Sequence, residues 1–410
     1  MKDFLKVHTP DEVYEKLNRF RPLSSEEVSL EESLQRVLAE EVVSAIDLPE
    51  FPRSTVDGFA LKAKDTYGAS EKNPCLVRVL GEVQMGQISD VEINDVQAMK
   101  VATGGMVPRG ADAAEMVEYT EWVDSQTIHI FKTLSPLENV IQIGEDIKAG
   151  EVLLQKGQRV RAQDMGLMAG IGKTKVQVFL KPRVGIISSG NEIIPIEQTL
   201  NPGEIRDINR YSIAAMIRET GGIPIFLGIA KDNFSSLKEK IEKGLEESDM
   251  VIVTGGSSVG TLDLTLDALQ SFAGTELLVH GISVRPGKPT LIADIVGKPF
   301  LGLPGHPVSA IVIFHLFGKP ILKSLSGLSR NEGFCRKSIK ARASRNIPSV
   351  AGREDYVRVK LEEKKGIVWA HPLFGKSGAM GHLVQADGLL KIDIHEEGLE
   401  EGEEAEVILF

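Results

Sequence analysis

The run Val251-Ile252-Val253-Thr254-Gly255-Gly256-Ser257-Ser258-Val259-Gly260-Thr261-Leu262-Asp263 has the residue types of a strand, a glycine-rich turn and a helix start. Glycine accepts positive φ and lets a ligand come close to the backbone, and the first N–H groups of a helix have no partner within it. Gly255, Gly256, Ser257 and Ser258 are therefore candidate donors to an anion, in the first place a phosphate. Asp263 stands where it could hold a metal ion or a water, or simply favour the first helical turn. An ordinary strand-to-helix turn accounts for the glycines equally well. The spacing is neither GxGxxG nor GxxxxGK[ST], which disfavours a nicotinamide enzyme and a P-loop ATPase.

A second turn, Leu303-Pro304-Gly305-His306-Pro307, places a glycine and a histidine between two prolines of fixed φ. Pro307 suits a first helical turn, and His306 is a possible phosphate or metal contact in a loop that a rigid connector would also explain. Arg285-Pro286-Gly287-Lys288-Pro289 brackets a tight turn with a planar guanidinium and a point charge, a pairing suited to oxyanions or to a solvated surface. Glu192, Asp207, Asp232 and Asp263 each follow a predicted strand or open a predicted helix. N-capping is a strong competing account for Asp207 and Asp232. Together the four suggest a carboxylate-lined edge, and magnesium favours a few carboxylates plus phosphate oxygens. Arg53-Ser54-Thr55-Val56-Asp57-Gly58, Thr103-Gly104-Gly105, Gly352-Arg353-Glu354-Asp355-Tyr356 and Gly375-Lys376-Ser377-Gly378 read as plain turns on their own.

The elements that must position these groups follow from periodicity. Leu30, Leu34, Val37, Leu38 and Val42 fall at helical spacing and predict a helix over about 30–44. From 46 to 143 prolines, glycines and short alternating runs such as Leu76–Val83 and Ile128–Phe131 predict a β-rich unit. Helical spacing returns at Ala162–Ile171. From Pro182 strands and helices alternate, with helices over Asn209–Glu219, Ser235–Glu247 and Leu262–Ser271, and Gly221-Gly222 as the stop of the first. That alternation predicts an open, mostly parallel α/β sheet covered on both faces, whose carboxyl edge is the place for a ligand. Beyond about 326 short strands between turns predict a small β-barrel or sandwich.

With 410 residues the chain exceeds one compact core. Its formal net charge of −11 argues against non-specific nucleic-acid binding and requires that cations for an anionic substrate be local. The two cysteines, Cys75 and Cys335, are far apart and fit a reducing cytoplasm rather than a disulfide framework or zinc site. No apolar signal core opens the sequence, and the apolar run near Val308–Phe317 reads as too short to cross a membrane.

Taken in order, Ser54-Thr55-Val56-Asp57-Gly58-Phe59-Ala60, Thr103-Gly104, Pro108-Arg109-Gly110-Ala111-Asp112, Gly144-Glu145-Asp146, Ser188-Ser189-Gly190-Asn191-Glu192, Thr254–Gly260, Pro286-Gly287-Lys288-Pro289 and Gly302–Ser309 resemble one family. It is that of the molybdopterin molybdenumtransferases, known as MoeA in bacteria and as the E domain of gephyrin in animals. The resemblance spans most of the chain. It implies a multidomain α/β protein: a segmented helical linker domain (1–45 and 144–180), an inserted β-rich domain (46–143), an α/β molybdopterin-binding domain (181–325) and a C-terminal β-barrel domain (326–410).

It further implies an elongated homodimer that takes adenylylated molybdopterin and inserts molybdate, with Mg2+ as cofactor and AMP released; the cysteine usage places it in the cytoplasm, and the departures from the family pattern leave tungstate as the alternative oxyanion. Catalytic positions carried over are Asp57, Thr103, Glu192, Asp232 and Asp263, with Glu192, Asp232 and Asp263 expected at the metal and Asp57 and Thr103 acting from the partner subunit. Substrate-binding positions are Gly255, Gly256, Ser257, Ser258, Arg285, Lys288, Pro304, His306, Pro307, Arg353 and Ser377. The chain departs from the family pattern at Ile141, where arginine is usual, at Thr261, where many members have an acid, at Arg285, which replaces a frequent lysine, and at His306, where asparagine is commoner. An adenylyltransferase sharing only the α/β domain and a non-catalytic scaffold of the gephyrin type are the competing functions.

Overall fold

A computed structural model describes residues 7–255, 259–329, 337–376 and 378–410, the side chains of 259–262 excepted. The chain gathers into two compact units. One comprises Met1–Glu40, Lys156–Met165 and Lys175–Phe410; the other comprises Glu41–Gln155 and Gly166–Thr174.

In the larger unit a six-stranded sheet has the order Ile223–Ala230, Arg183–Ser189, Met250–Gly255, Lys298–Leu303, Leu291–Ile295, Thr275–His280. The first four strands are parallel and the last two pair antiparallel at one edge. Continuous apolar runs build the centre: Arg183–Ser189 is buried at every position after Arg183, and Met250–Thr254 throughout. Such runs belong to strands covered on both faces. Helix Asn209–Thr220 lays Ile213 and Ile217 on one face beside Val184, Ile186 and Ile252. Helix Phe234–Glu247 lays Leu237 and Ile241 on the other beside Ile187, Val251 and Val253. Each of these side chains, removed from water, contributes roughly 1.5–3 kcal/mol. Gly221, at φ +100°, ends the first helix as expected, and the Asn233 side chain caps the second by accepting from the Ser236 amide at 2.9 Å.

A closed barrel follows. Strands Glu354–Lys364, Ile367–Pro372, Ser338–Ala343, Glu404–Leu409 and Gly388–Ile392 pair in that order, and the last pairs back with the first. Its core holds Ala341, Val359, Ala370, Leu390 and Val407. Val284–Arg285, which precedes the Pro286-Gly287 turn, pairs parallel with Glu354–Asp355 and so ties that turn to the barrel wall.

The smaller unit carries a six-stranded sheet ordered Ala113–Met116, Gly58–Leu61, Gln97–Val101, Cys75–Glu82, Thr127–Ile130, Thr120–Trp122. Phe59, Leu61, Val77, Ala98, Ile128 and Ile130 form its main core.

Two local expectations fail. The segment 30–44 is not an α-helix: it holds a single 3-10 turn, Glu31–Ser33, and a strand at Val42–Val43. Backbone bonds to distant segments outcompete the helix there. The Gln35 amide donates to Val160, Leu38 to Gln158 and Ala39 to Gln177, while Phe179 donates to Val37. Leu34 is left exposed and Gln35 takes φ +62°, so the apparent helical stripe is not one face. The helical share of the expected linker reduces to Pro10–Leu17 and Ala162–Gly170. The second failure is one of length. Pro307–Leu325 is one continuous helical run of 19 residues, long and apolar enough by composition to cross a bilayer. Val308–Phe314 and Leu316–Phe317 pack in the sheet core instead.

Candidate active site

The parallel strands present their carboxyl ends along one edge, and a cavity of about 450 Å³ opens there. Gly255 closes the central strand at φ +122°, and a Cβ on it would lie 2.0 Å from the Ser189 carbonyl oxygen. No other residue fits, so the first expected glycine is required by the fold. Around it stand Glu192, Asp207 and Asp232, with Arg206 as the cation in the lining. Asp207 is buried and tied down: it accepts from Ser188 Oγ at 2.6 Å and from the Arg210 amide at 3.1 Å. It therefore serves the helix start, as the capping account foresaw. Asp232 does not cap, since Asn233 does. Its carboxylate accepts from Ser189 Oγ and from the Asn191 amide, both at 3.2 Å, which holds it at the cavity rim. Glu192 is exposed. Three carboxylates against one arginine repel a phosphate unless a divalent cation lies between them.

A larger cavity of about 970 Å³ has the opposite sign. Arg285, Lys288, Arg353, Arg358 and Lys376 line it, and Asp355 is the carboxylate in that lining. Asp355 is buried and holds two guanidinium groups, Arg353 Nε at 2.9 Å and Arg285 Nη1 at 3.5 Å. Arg358 was not singled out in the sequence. It is 8% exposed and donates to the Gly375 carbonyl at 2.7 Å and weakly to Ala379 at 3.4 Å. Burial pushes its guanidinium below its ordinary pKa, and arginine still cannot give up the charge. In sequence it is a lone arginine between Val357 and Val359 in a predicted strand, which carries no site signal. Gly287, at φ +120°, is a second obligatory glycine: a Cβ there would sit 2.3 Å from the Ile313 side chain.

Pro304-Gly305-His306-Pro307 stands between the cavities. Pro304 lines the cationic one, Pro307 the acid-lined one, and His306 both. The expected site is thus lined as two adjoining cavities that meet at this stiff turn. Asn209 donates from Nδ2 to the Gly305 carbonyl at 2.9 Å and anchors that turn to the helix start.

In the smaller unit Asp57 and Thr103 meet. The Thr103 amide donates to Asp57 Oδ1 at 2.7 Å, and this bond, with the Thr103 side chain, holds the Asp57 carboxyl below its usual range. Reciprocal backbone bonds clamp the two loops, Gly104 to Ser54 at 2.7 Å and Ser54 to Gly105 at 2.9 Å.

The ligand set Glu192, Asp232 and Asp263 is not assembled. Asp263 is exposed on helix Val259–Gln270 and lines neither cavity. Among the described residues no three acidic, histidine or cysteine side chains converge as a metal cluster. Gly256, Ser257, Ser258 and Ser377 lie outside the described residues, as does the side chain of Thr261.

Known proteins match along this whole arrangement. Residues 8–172 match the MoeA N-terminal region (domain I and II), 185–324 the "Probable molybdopterin binding domain", and 340–410 the MoeA C-terminal region (domain IV). A molybdopterin molybdenumtransferase of Staphylococcus epidermidis is 33% identical over 411 residues, covering 99% of this chain and 97% of its own length. The chain belongs to the MoeA family. The Bacillus subtilis molybdopterin molybdenumtransferase is 32% identical, covering 99% of this chain and 95% of its own. A crystal structure of a molybdopterin biosynthesis MoeA protein from Pyrococcus horikosii superposes with a TM-score of 0.85 at 38% identity, covering 98% of this chain and 99% of that one. The MoeA membership thus extends over both compact units and over both cavities.

Proposed function

We infer that the chain is a molybdopterin molybdenumtransferase of molybdenum cofactor biosynthesis, and propose that it cleaves adenylylated molybdopterin with release of AMP as molybdate enters the dithiolene. What supports this most is the pairing of a cationic cavity with an acid-lined one on either side of the Pro304–Pro307 turn. A tetrahedral oxyanion and a pterin phosphate fit the first; a phosphoanhydride with a magnesium ion fits the second.

In the cationic cavity Arg358 and Arg353 are held before any ligand arrives, by backbone carbonyls in one case and Asp355 in the other. Such pre-set donors hold molybdate without reorganising. Arg285 and Lys288 stand beside them on the Pro286-Gly287 turn. In the acid-lined cavity the residues fit magnesium in kind, with Glu192 and Asp232 as holders and phosphate oxygens completing the shell. Magnesium there would supply charge neutralisation at the phosphoanhydride. The Gly255 turn lets the phosphate chain approach backbone, and Ser188, Ser189 and Asn191 keep the acids aimed. Asp263 lies outside this proposed holder set.

Asp57 and Thr103 form a pre-ordered carboxylate–amide pair. We assign them to a homodimer in which one copy completes the site of the other. Two cysteines far apart in the sequence, without CxxC spacing, fit a reducing compartment and so support a cytoplasmic enzyme.

The test is AMP release from adenylylated molybdopterin, with and without molybdate and magnesium. Molybdate-dependent AMP supports the reading. Pyrophosphate released from ATP with free molybdopterin indicates an adenylyltransferase instead, and an inert protein that only binds partners indicates a scaffold.

A further inference from the structure

We propose that His306 couples the two cavities, so that a nucleoside monophosphate and its divalent cation in the acid-lined cavity raise the affinity of the cationic cavity for a tetrahedral oxyanion. This rests on the two-cavity reading above and assigns His306 as a positioning residue for both ligands.

Several observations converge on this residue. Among the described residues, His306 and Gly378 alone line both cavities. Gly378 has no side chain, so His306 is the side-chain-bearing residue that the two linings share. The backbone of His306 opens helix Pro307–Ile313 and accepts from the Ala310 amide at 3.0 Å, yet its side chain does not cap that helix. The ring is exposed and lies beside Gly378, its Cδ2 3.7 Å from where a Cβ on that glycine would be. The backbone beneath is stiff, with prolines on both sides of the turn and Asn209 bonded to Gly305.

A fixed backbone with a rotatable ring leaves only the two side-chain torsions soft. A ligand that holds the ring from one side removes that freedom before the second ligand binds, and the second then loses less entropy. An imidazole has one nitrogen for each side. Couplings between ligand sites are typically about 5-fold to 150-fold in affinity, and a single side chain belongs near the lower end of that range.

The experiment is calorimetric titration of the full-length chain with tungstate, the alternative oxyanion, in the presence and absence of AMP and magnesium and without any pterin substrate to consume it. The wild type is expected to bind tungstate about 5-fold more tightly with AMP and magnesium present, and AMP more tightly by the same factor with tungstate present. His306→Ala should bring both ratios to about 1, while His306→Gln, which keeps a polar arm on an exposed position, should retain part of the coupling. Equal tungstate affinities with and without AMP in the wild type, or a ratio unchanged in His306→Ala, would overturn the proposal and leave the enzyme assignment intact. Failure of the wild type to bind either ligand would instead remove the two-cavity reading, and this proposal with it.

Discussion

Replacing Arg358 with methionine removes the best-buried cation of the cationic cavity while keeping an unbranched side chain of similar reach. Arg358 is 8% exposed and its guanidinium is committed to two carbonyls, so solvent screens it little and an incoming oxyanion meets it already oriented. A hydrogen bond to a charged partner contributes roughly 1.5–3 kcal/mol. Converted at about 1.4 kcal/mol per decade, the variant should bind tungstate about 10-fold to 150-fold more weakly. Lysine at 358 restores a charge but not the fork, and should fall between. The same change frees the carbonyls of Gly375 and Ala379, so a loss of about 1–2 kcal/mol in stability accompanies it. Calorimetry with tungstate near 0.1 M ionic strength, with circular dichroism as the folding control, reads both effects. Lys288→Met gives the contrast: its ammonium is exposed, so its smaller loss should fade as salt rises. A folded Arg358→Met protein that binds tungstate as the wild type does, within 2-fold, would refute the assignment of this cavity to the oxyanion.

Other expectations follow from the same geometry. Gly255→Ala places a Cβ 2.0 Å from the Ser189 carbonyl oxygen at φ +122°; it should cost about 2 kcal/mol or more, visible as a lowered melting temperature together with lost AMP release. Asp57→Asn keeps an oxygen for the 2.7 Å bond from the Thr103 amide and loses the charge. Activity should fall about 10-fold or more with little change in melting, and an equal fall in both would mean the pair is only structural. Glu115 is buried in the smaller unit, and desolvation raises its carboxyl to about 7. The folded state therefore holds its proton in a range where the unfolded chain, near 4.3, has released it. Stability from this group is complete below the unfolded value and is lost as pH rises toward 7. Glu115→Gln, neutral at every pH, should be more stable than the wild type at pH 8, by about 1–3 kcal/mol, and nearly equal to it at pH 4. Thermal melts across that range test the sign.

The alternating pattern after Pro182 was legible because parallel strands need continuous apolar runs and helices need a 3.6-residue stripe, and both survive burial unchanged. Gly255 and Gly287 were legible for a different reason: each fills a place where any Cβ collides. The segment 30–44 was not, since Leu34 is exposed, Val37 and Leu38 are claimed by backbone bonds to Phe179 and Gln158, and Val42 pairs with Leu154, none of which a local window contains. Arg358 was hidden because a lone arginine between valines in a strand reads as a solvent-facing position. What holds its charge inward is the 375–379 segment, whose Gly375 and Ala379 carbonyls accept from the guanidinium. The division of the site by the Pro304–Pro307 turn was equally invisible: spacing brought the acids and the cations to one edge, but only their placement puts them on opposite sides of His306. Asp263 shows the converse, a well-spaced carboxylate that faces solvent.

The central claim is that this chain releases AMP from adenylylated molybdopterin as it inserts molybdate. The most direct measurement follows AMP by chromatography after mixing the purified protein with that substrate, molybdate and magnesium, alongside reactions lacking molybdate or holding a chelator. The account predicts AMP only when both are present, and its loss in Asp232→Asn. AMP release indifferent to molybdate and magnesium, or an inert protein, would contradict it.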